Sequence, residues 1–170
     1  EDTEREMYYE TKSMLHKQGF ERYEISNYAK PGYECRHNIG YWTGIEYLGL
    51  GLGASSYIQG FRFHNESDLS CYDKIRMNGT DADERLHQEI TKLSDKEKME
   101  EFMFLGLRMI KGVSGSEFFQ RFGQNMWNVY GNVLNKLKDE GLIIVEMPDV
   151  RLSDYGIDVS NYVLSEFLLP

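Results

Sequence analysis

With 170 residues, 41% of them hydrophobic and 14% aromatic, the chain has material for one domain or two small ones and is too apolar for disorder. Its net charge of −9 argues against a nucleic-acid surface, which needs clustered Lys and Arg, and against docking on an anionic membrane. No apolar run approaches the ~20 residues of a membrane span, no signal peptide is recognisable, and two distant cysteines, Cys35 and Cys71, make no disulfide framework, so the expected compartment is the reducing cytoplasm.

The chain opens on Glu1 rather than Met and almost directly on a helix start, so it reads as a piece of a longer protein. Thr3 to Glu6 has the Ser/Thr-x-x-Glu pattern of a capping box. Met7, Thr11, Met14 and Leu15 then share one helical face, and Gly19 is placed to end the helix. Arg22 to Asn27 alternates with Tyr23 and Ile25 on one side, which predicts a strand. A helix, a glycine stop and a strand make the half-unit of an α/β fold. A lone strand of that kind exposes an edge, and pairing with a second copy would give a swapped homodimer.

Residues 28–46 read as an aromatic loop. Within it, Arg36-His37-Asn38-Ile39-Gly40-Tyr41-Trp42 puts an imidazole, a carboxamide, a phenol and an indole side by side. Imidazole is the commonest side-chain metal ligand and can hold haem iron, and Tyr and Trp can pack on a flat aromatic ligand. By residue type alone, the favoured reading is that His37 and Asn38 satisfy loop backbone while Tyr41 and Trp42 fill a core.

Tyr47 to Ile58 is strand-like, with Gly49, Gly51 and Gly53 spaced by two. In a strand this leaves one face bare, for close approach of a ligand or as a bend. It is not a dinucleotide fingerprint, for it lacks the G-x-G-x-x-G spacing. Arg62 could clamp a carboxylate with its planar fork or belong to a surface loop, and His64 is a second imidazole nearby. Residues 70–79 predict a short helix closed by Asn78-Gly79, and the charged run Asp81 to Arg85 marks a domain boundary.

Ser94 to Glu97 is a second capping box, leading into the stripe Met99, Phe102, Met103, Gly106 and Ile110 with Gly112 as stop. Ser114 to Glu117 is a third, before Phe118, Phe119 and Phe122, with Gly123 as stop. Tyr130, Val133, Leu134 and Leu137 stripe the next helix, which Gly141 closes. Leu142–Glu146 and Val150–Leu152 bracket Pro148-Asp149 as a hairpin. Ser153 can cap a final helix with Val159, Val163 and Phe167 inward. Three helices, a hairpin and a closing helix describe a winged helix. Its third helix ends in Lys136, Lys138, Asp139 and Glu140, which nearly cancel, so DNA binding is not expected.

The run Tyr23-Glu24-Ile25-Ser26-Asn27-Tyr28-Ala29-Lys30, the block His37-Asn38-Ile39-Gly40-Tyr41-Trp42 and Gly49-Leu50-Gly51-Leu52-Gly53-Ala54 together resemble the second half of HemW-type proteins. These form part of the oxygen-independent coproporphyrinogen III oxidase-like branch of the radical S-adenosylmethionine (SAM) proteins. The resemblance implies an α+β fold: residues 1–85 as the end of a partial β/α barrel, 86–170 as a winged-helix-like C-terminal domain. It implies haem binding, with His37 as axial ligand, Asn38 orienting the loop and Tyr41 and Trp42 packing on the porphyrin, and delivery of haem to acceptor proteins. Gly51 and Ala54 would lie near the SAM pocket, and Arg62 would meet a substrate carboxylate. The Cys-x-x-x-Cys-x-x-Cys loop that holds a [4Fe–4S] cluster in that branch is not in this sequence, so cluster and SAM would be held elsewhere in the parent. Two further readings are the oxidative decarboxylation of coproporphyrinogen III and a non-catalytic partner-docking domain.

Overall fold

A computed structural model describes residues 2–75 and 85–169. The fold is mixed α+β, and it divides into two compact units, 1–44 with 99–170, and 45–98. The expected boundary at 85/86 falls within the second of these segments, and Asp81 to Glu84 lie outside the described residues.

The first unit opens with α1 (Asp2–Lys17). Thr3 lies inside this helix rather than at its cap. Gly19 does terminate it, at φ +78°, with the Phe20 amide bonded back to the Leu15 carbonyl at 3.0 Å. The predicted strand 22–27 is not formed. Instead β1 (Glu21–Arg22) turns back onto β2 (Tyr28–Ala29) as a short antiparallel hairpin. The Glu24 carboxylate causes the reversal: Oε1 accepts from the Ser26 amide at 3.0 Å and from Asn27 Nδ2 at 2.5 Å. The segment 28–46, read as a loop, contains a helix, α2 (Arg36–Trp42).

The second unit is built on β3 (Ser55–Ile58), β4 (Phe61–Asn65) and β5 (His87–Lys92), an antiparallel sheet in that order. Gln59 and Gly60, both at positive φ (51° and 78°), make the two-residue turn between β3 and β4. The glycine-spaced run is not a strand before Ser55; Tyr47 makes only an isolated bridge to Tyr57. Gly51 and Gly53 turn the chain at positive φ, and a Cβ on Gly49 would sit 2.2 Å from the Ser55 carbonyl. Helix α3 is a single turn (Leu69–Tyr72), and the expected stop at Asn78-Gly79 lies outside the described residues.

Helix α4 (Asp95–Gly106) begins with the predicted capping box: the Ser94 amide donates to Glu97 Oε2 at 2.7 Å, and the Glu97 amide to Ser94 Oγ at 3.2 Å. It ends at Gly106, and Gly112 at φ +74° closes the turn after it. Helix α5 (Gly115–Phe122) has Ser114 at its N-cap without a side-chain cap bond, and the Glu117 carboxylate pairs with Arg121. Phe118 is buried, whereas Phe119 is 57% exposed. Helix α6 (Met126–Asp139) buries Tyr130, Leu134 and Leu137 as its spacing predicted.

The strands β6 (Ile143–Glu146) and β7 (Asp149–Leu152) form the predicted hairpin, joined through a cis Met147–Pro148 peptide. Ser153 caps α7 (Asp154–Asp158), its hydroxyl accepting from the Gly156 amide at 2.9 Å. The closing helix is thus split, with α8 (Ser160–Ser165) following. The core of the first unit runs through Met103, Leu107, Phe118, Tyr130, Leu134 and Phe167, ring edges on ring faces. No helix among the described residues is long and apolar enough to cross a membrane.

Candidate functional site

Helix formation gives the seven-residue block a geometry that a loop reading lacks. Residues four apart on a helix stack on one face. His37 and Tyr41 therefore form one row and Asn38 and Trp42 the next. The His37 and Tyr41 rings meet edge to face, centroids 4.7 Å apart at 84°. Both are exposed, while Asn38 and Trp42 are half-buried. Among the described residues no hydrogen bond engages the His37 ring or the Asn38 carboxamide, so neither serves to satisfy loop backbone.

Two arginines far along the chain hold this helix. Arg108 lies over the Trp42 ring, its Cζ 4.3 Å from the centroid. Arg121 Nη1 donates to the Thr43 carbonyl at the helix C-terminus at 3.1 Å, where a cation meets the negative end of the helix dipole. Arg121 is also paired with Glu117 at 2.5 Å. Sequence reading did not single out either arginine. Each lies more than sixty positions from the block, and no local pattern links them to it.

Arg108 is in turn fixed by Glu24, whose carboxylate is fully buried. Arg108 Nη2 lies 3.7 Å from Glu24 Oε2. The two backbones are paired: the Ile25 amide donates to the Arg108 carbonyl at 3.0 Å and the Ile110 amide to the Tyr23 carbonyl at 3.1 Å. A buried carboxylate needs such partners, because desolvation alone costs several kcal/mol.

The remaining predicted residues lie in the second unit. The Gly51 carbonyl accepts from the buried Asn65 Nδ2 at 2.8 Å, and the Ala54 carbonyl from the Asn65 amide at 2.9 Å. Asn65 thereby pins the glycine turn, a structural role that accounts for its burial. A Cβ on Gly51 would meet nothing within 4 Å, so its positive φ, not close approach, is what calls for glycine. Arg62 is exposed on β4 with its guanidinium 5.7 Å from the Tyr57 ring centroid. His64 Nδ1 lies 2.8 Å from the Asn65 carbonyl and Nε2 3.4 Å from Glu89. Cys35 and Cys71 are both exposed, and no group of three or more His, Cys, Asp or Glu side chains suited to a metal ion occurs among the described residues. Two thiols fall short of the three that a Cys-x-x-x-Cys-x-x-Cys loop offers an iron–sulfur cluster.

Residues 93–159 match the HemN C-terminal domain family. Over 169 residues the chain is 35% identical to the haem chaperone HemW of Lactococcus lactis subsp. lactis (strain IL1403), covering 99% of this chain and 43% of that protein. It is 36% identical to the haem chaperone HemW of Bacillus subtilis (strain 168), with the same coverage. Similarity extends to the mitochondrial radical S-adenosyl methionine domain-containing protein 1 of Bos taurus, at 28% identity over 96% of this chain and 38% of that one. The chain thus spans less than half the length of these relatives. Among solved structures, the radical SAM enzyme coproporphyrinogen III oxidase (HemN) from Escherichia coli has the same fold over 95% of this chain and 40% of its own, with a TM-score of 0.68 and 15% identity. The matched C-terminal domain is the part that supplies Arg108 and Arg121 to the motif helix, and with likeness along nearly its whole length the chain belongs to the HemW-like family.

Proposed function

We propose that the protein binds haem on α2 and passes it to haem-acceptor proteins. The observation that carries this is the His37 imidazole: exposed, edge-on to Tyr41, and with no hydrogen bond to its ring among the described residues. Such a ring can offer a nitrogen to haem iron as axial ligand. The free carboxamide of Asn38 can orient the bound ligand, and Tyr41 and Trp42 supply aromatic area for the porphyrin. In this reading residues 1–85 are the end of a partial β/α barrel and 86–170 a winged-helix-like domain that acts as scaffold. The [4Fe–4S] cluster and SAM belong to other parts of the full-length protein, for the chain's own cysteines do not fit a cluster. Gly51 and Ala54 border the SAM pocket, Arg62 faces a substrate carboxylate, and the protein works in the cytoplasm.

The test is a haem titration of the full-length protein beside its His37→Ala variant, both shown equally folded by circular dichroism. A saturable Soret shift that vanishes in the variant supports the reading. A shift that survives His37→Ala removes His37 as ligand and with it the proposal. The fold likeness to HemN also supports a second reading, oxidation of coproporphyrinogen III by the full-length protein. Formation of protoporphyrinogen IX in the presence of SAM and reductant would select it.

A further inference from the structure

The contact between Arg108 and Trp42 is the tightest of the chain's cation–ring contacts among the described residues; the others lie at 5.3 Å or more. At 4.3 Å the guanidinium is packed against the ring rather than hovering near it. Its electrostatic partner is also unusual. Glu24 is fully buried, and its Oε1 is saturated by Ser26 and Asn27, but Oε2 has no hydrogen bond and meets Arg108 only at 3.7 Å. Arg108 Nε is likewise buried without a partner. An arginine serving only to neutralise Glu24 would form the bidentate fork that guanidinium and carboxylate favour. Here that fork is given up, and the cation is shared between a buried carboxylate and the face of an indole.

We propose that Glu24 and Arg108 are a positioning pair that fixes the plane of Trp42 and, through α2, aims the His37–Tyr41 row at haem. This rests on the haem-binding reading above. The ladder between 23–25 and 108–110 makes the pair rigid, since both side chains leave backbone segments bonded to each other. The guanidinium takes one indole face, so a porphyrin reaches Trp42 only from the other face or its edge. Trp42 and Asn38 share one helix row, and His37 and Tyr41 the adjacent row, so an indole held against Arg108 fixes the roll of this short helix and with it the direction of the ligand-bearing row. Arg108 is a positioning residue in this scheme, not a ligand.

The experiment uses full-length protein labelled with 5-fluorotryptophan, with the Trp42 resonance identified by its loss in Trp42→Phe. Arg108→Gln and Arg108→Lys are compared by fluorine NMR without haem and by haem titration. Arg108→Gln is expected to shift the Trp42 resonance and weaken haem binding about three- to tenfold, the scale of one cation–π contact. Arg108→Lys keeps the charge beside Glu24 but not the guanidinium over the ring; it should recover thermal stability while leaving both the resonance shift and the weakened affinity. Glu24→Gln, if it folds, should resemble Arg108→Gln. A Trp42 resonance unmoved in folded Arg108→Gln overturns the positioning pair, as does a moved resonance with unchanged haem affinity. His37→Ala is the separate control: a Soret shift that persists there overturns the reading of His37 as haem ligand on α2 and is distinguishable, because it leaves the Trp42 resonance in place.

Discussion

Arg121 and Thr43, 78 positions apart, are joined by a 3.1 Å hydrogen bond from the guanidinium Nη1 to the carbonyl that follows α2. The motif helix is only seven residues long, and isolated helices of that length are not stable in water. Its existence therefore depends on groups from elsewhere. Arg121 caps its C-terminus, and the Thr43 hydroxyl bonds back to the Ile39 carbonyl at 2.7 Å.

Replacing Arg121 with Ala should loosen this end. The loss is expected to be about 0.5–1 kcal/mol, the scale of a cation at a helix C-terminus, discounted because the side chain is partly exposed. Hydrogen exchange is the check: the Thr43 and Gly44 amides, bonded to Ile39 and Tyr41, should exchange faster in Arg121→Ala, while the α6 amides stay unchanged.

The capping box at α4 makes the start of that helix sensitive to acid. Hydrogen bonds from the Ser94 hydroxyl, then from its backbone amide, hold the Glu97 carboxyl below the usual glutamate range. The folded state thus favours the carboxylate. Its contribution is fully present above the unfolded pKa of about 4.3 and is lost as pH falls through the lower folded value. An NMR titration should find Glu97 below an ordinary glutamate, and Ser94→Ala should move it back up.

Core and surface phenylalanines on α5 should part company. Phe118→Ala empties a site with no solvent exposure and should cost about 3–5 kcal/mol in denaturant unfolding. Phe119→Ala, at 57% exposure, should change stability by less than about 0.5 kcal/mol. Equal effects would mean that Phe119 faces inward as Phe118 does.

Gly112 is fixed by two constraints at once. Its φ is +74°, and a Cβ there would lie 2.0 Å from the Val150 carbonyl oxygen. That carbonyl accepts the Val113 amide at 2.8 Å, so the strand β7 cannot move away without losing a bond. Gly112→Ala should therefore destabilise by well over the about 1 kcal/mol of an ordinary left-handed glycine replacement, read as a lowered midpoint in urea.

What was legible in the sequence was local. Ser94 with Glu97, Ser153, Gly19, Gly123 and Gly141 do what their positions announce, because a cap bonds to groups three or four residues away. The stripe of Tyr130, Leu134 and Leu137 is buried for the same reason: helix periodicity alone puts them on one side. The family of the chain was legible as well, through the resemblance that the His37 to Trp42 block helps to carry, and the likeness to HemW proteins agrees with it. What only the tertiary structure decided was its shape. Short helices and strands take their stability from packing, so no local signal marked α2 as a helix or turned the 22–27 segment into a hairpin around Glu24. The arginines that hold the block are distant in sequence, and the pairing of Glu24 with Arg108 and of Arg108 with Trp42 came from backbone contacts that form only when residues 23–25 and 108–110 meet.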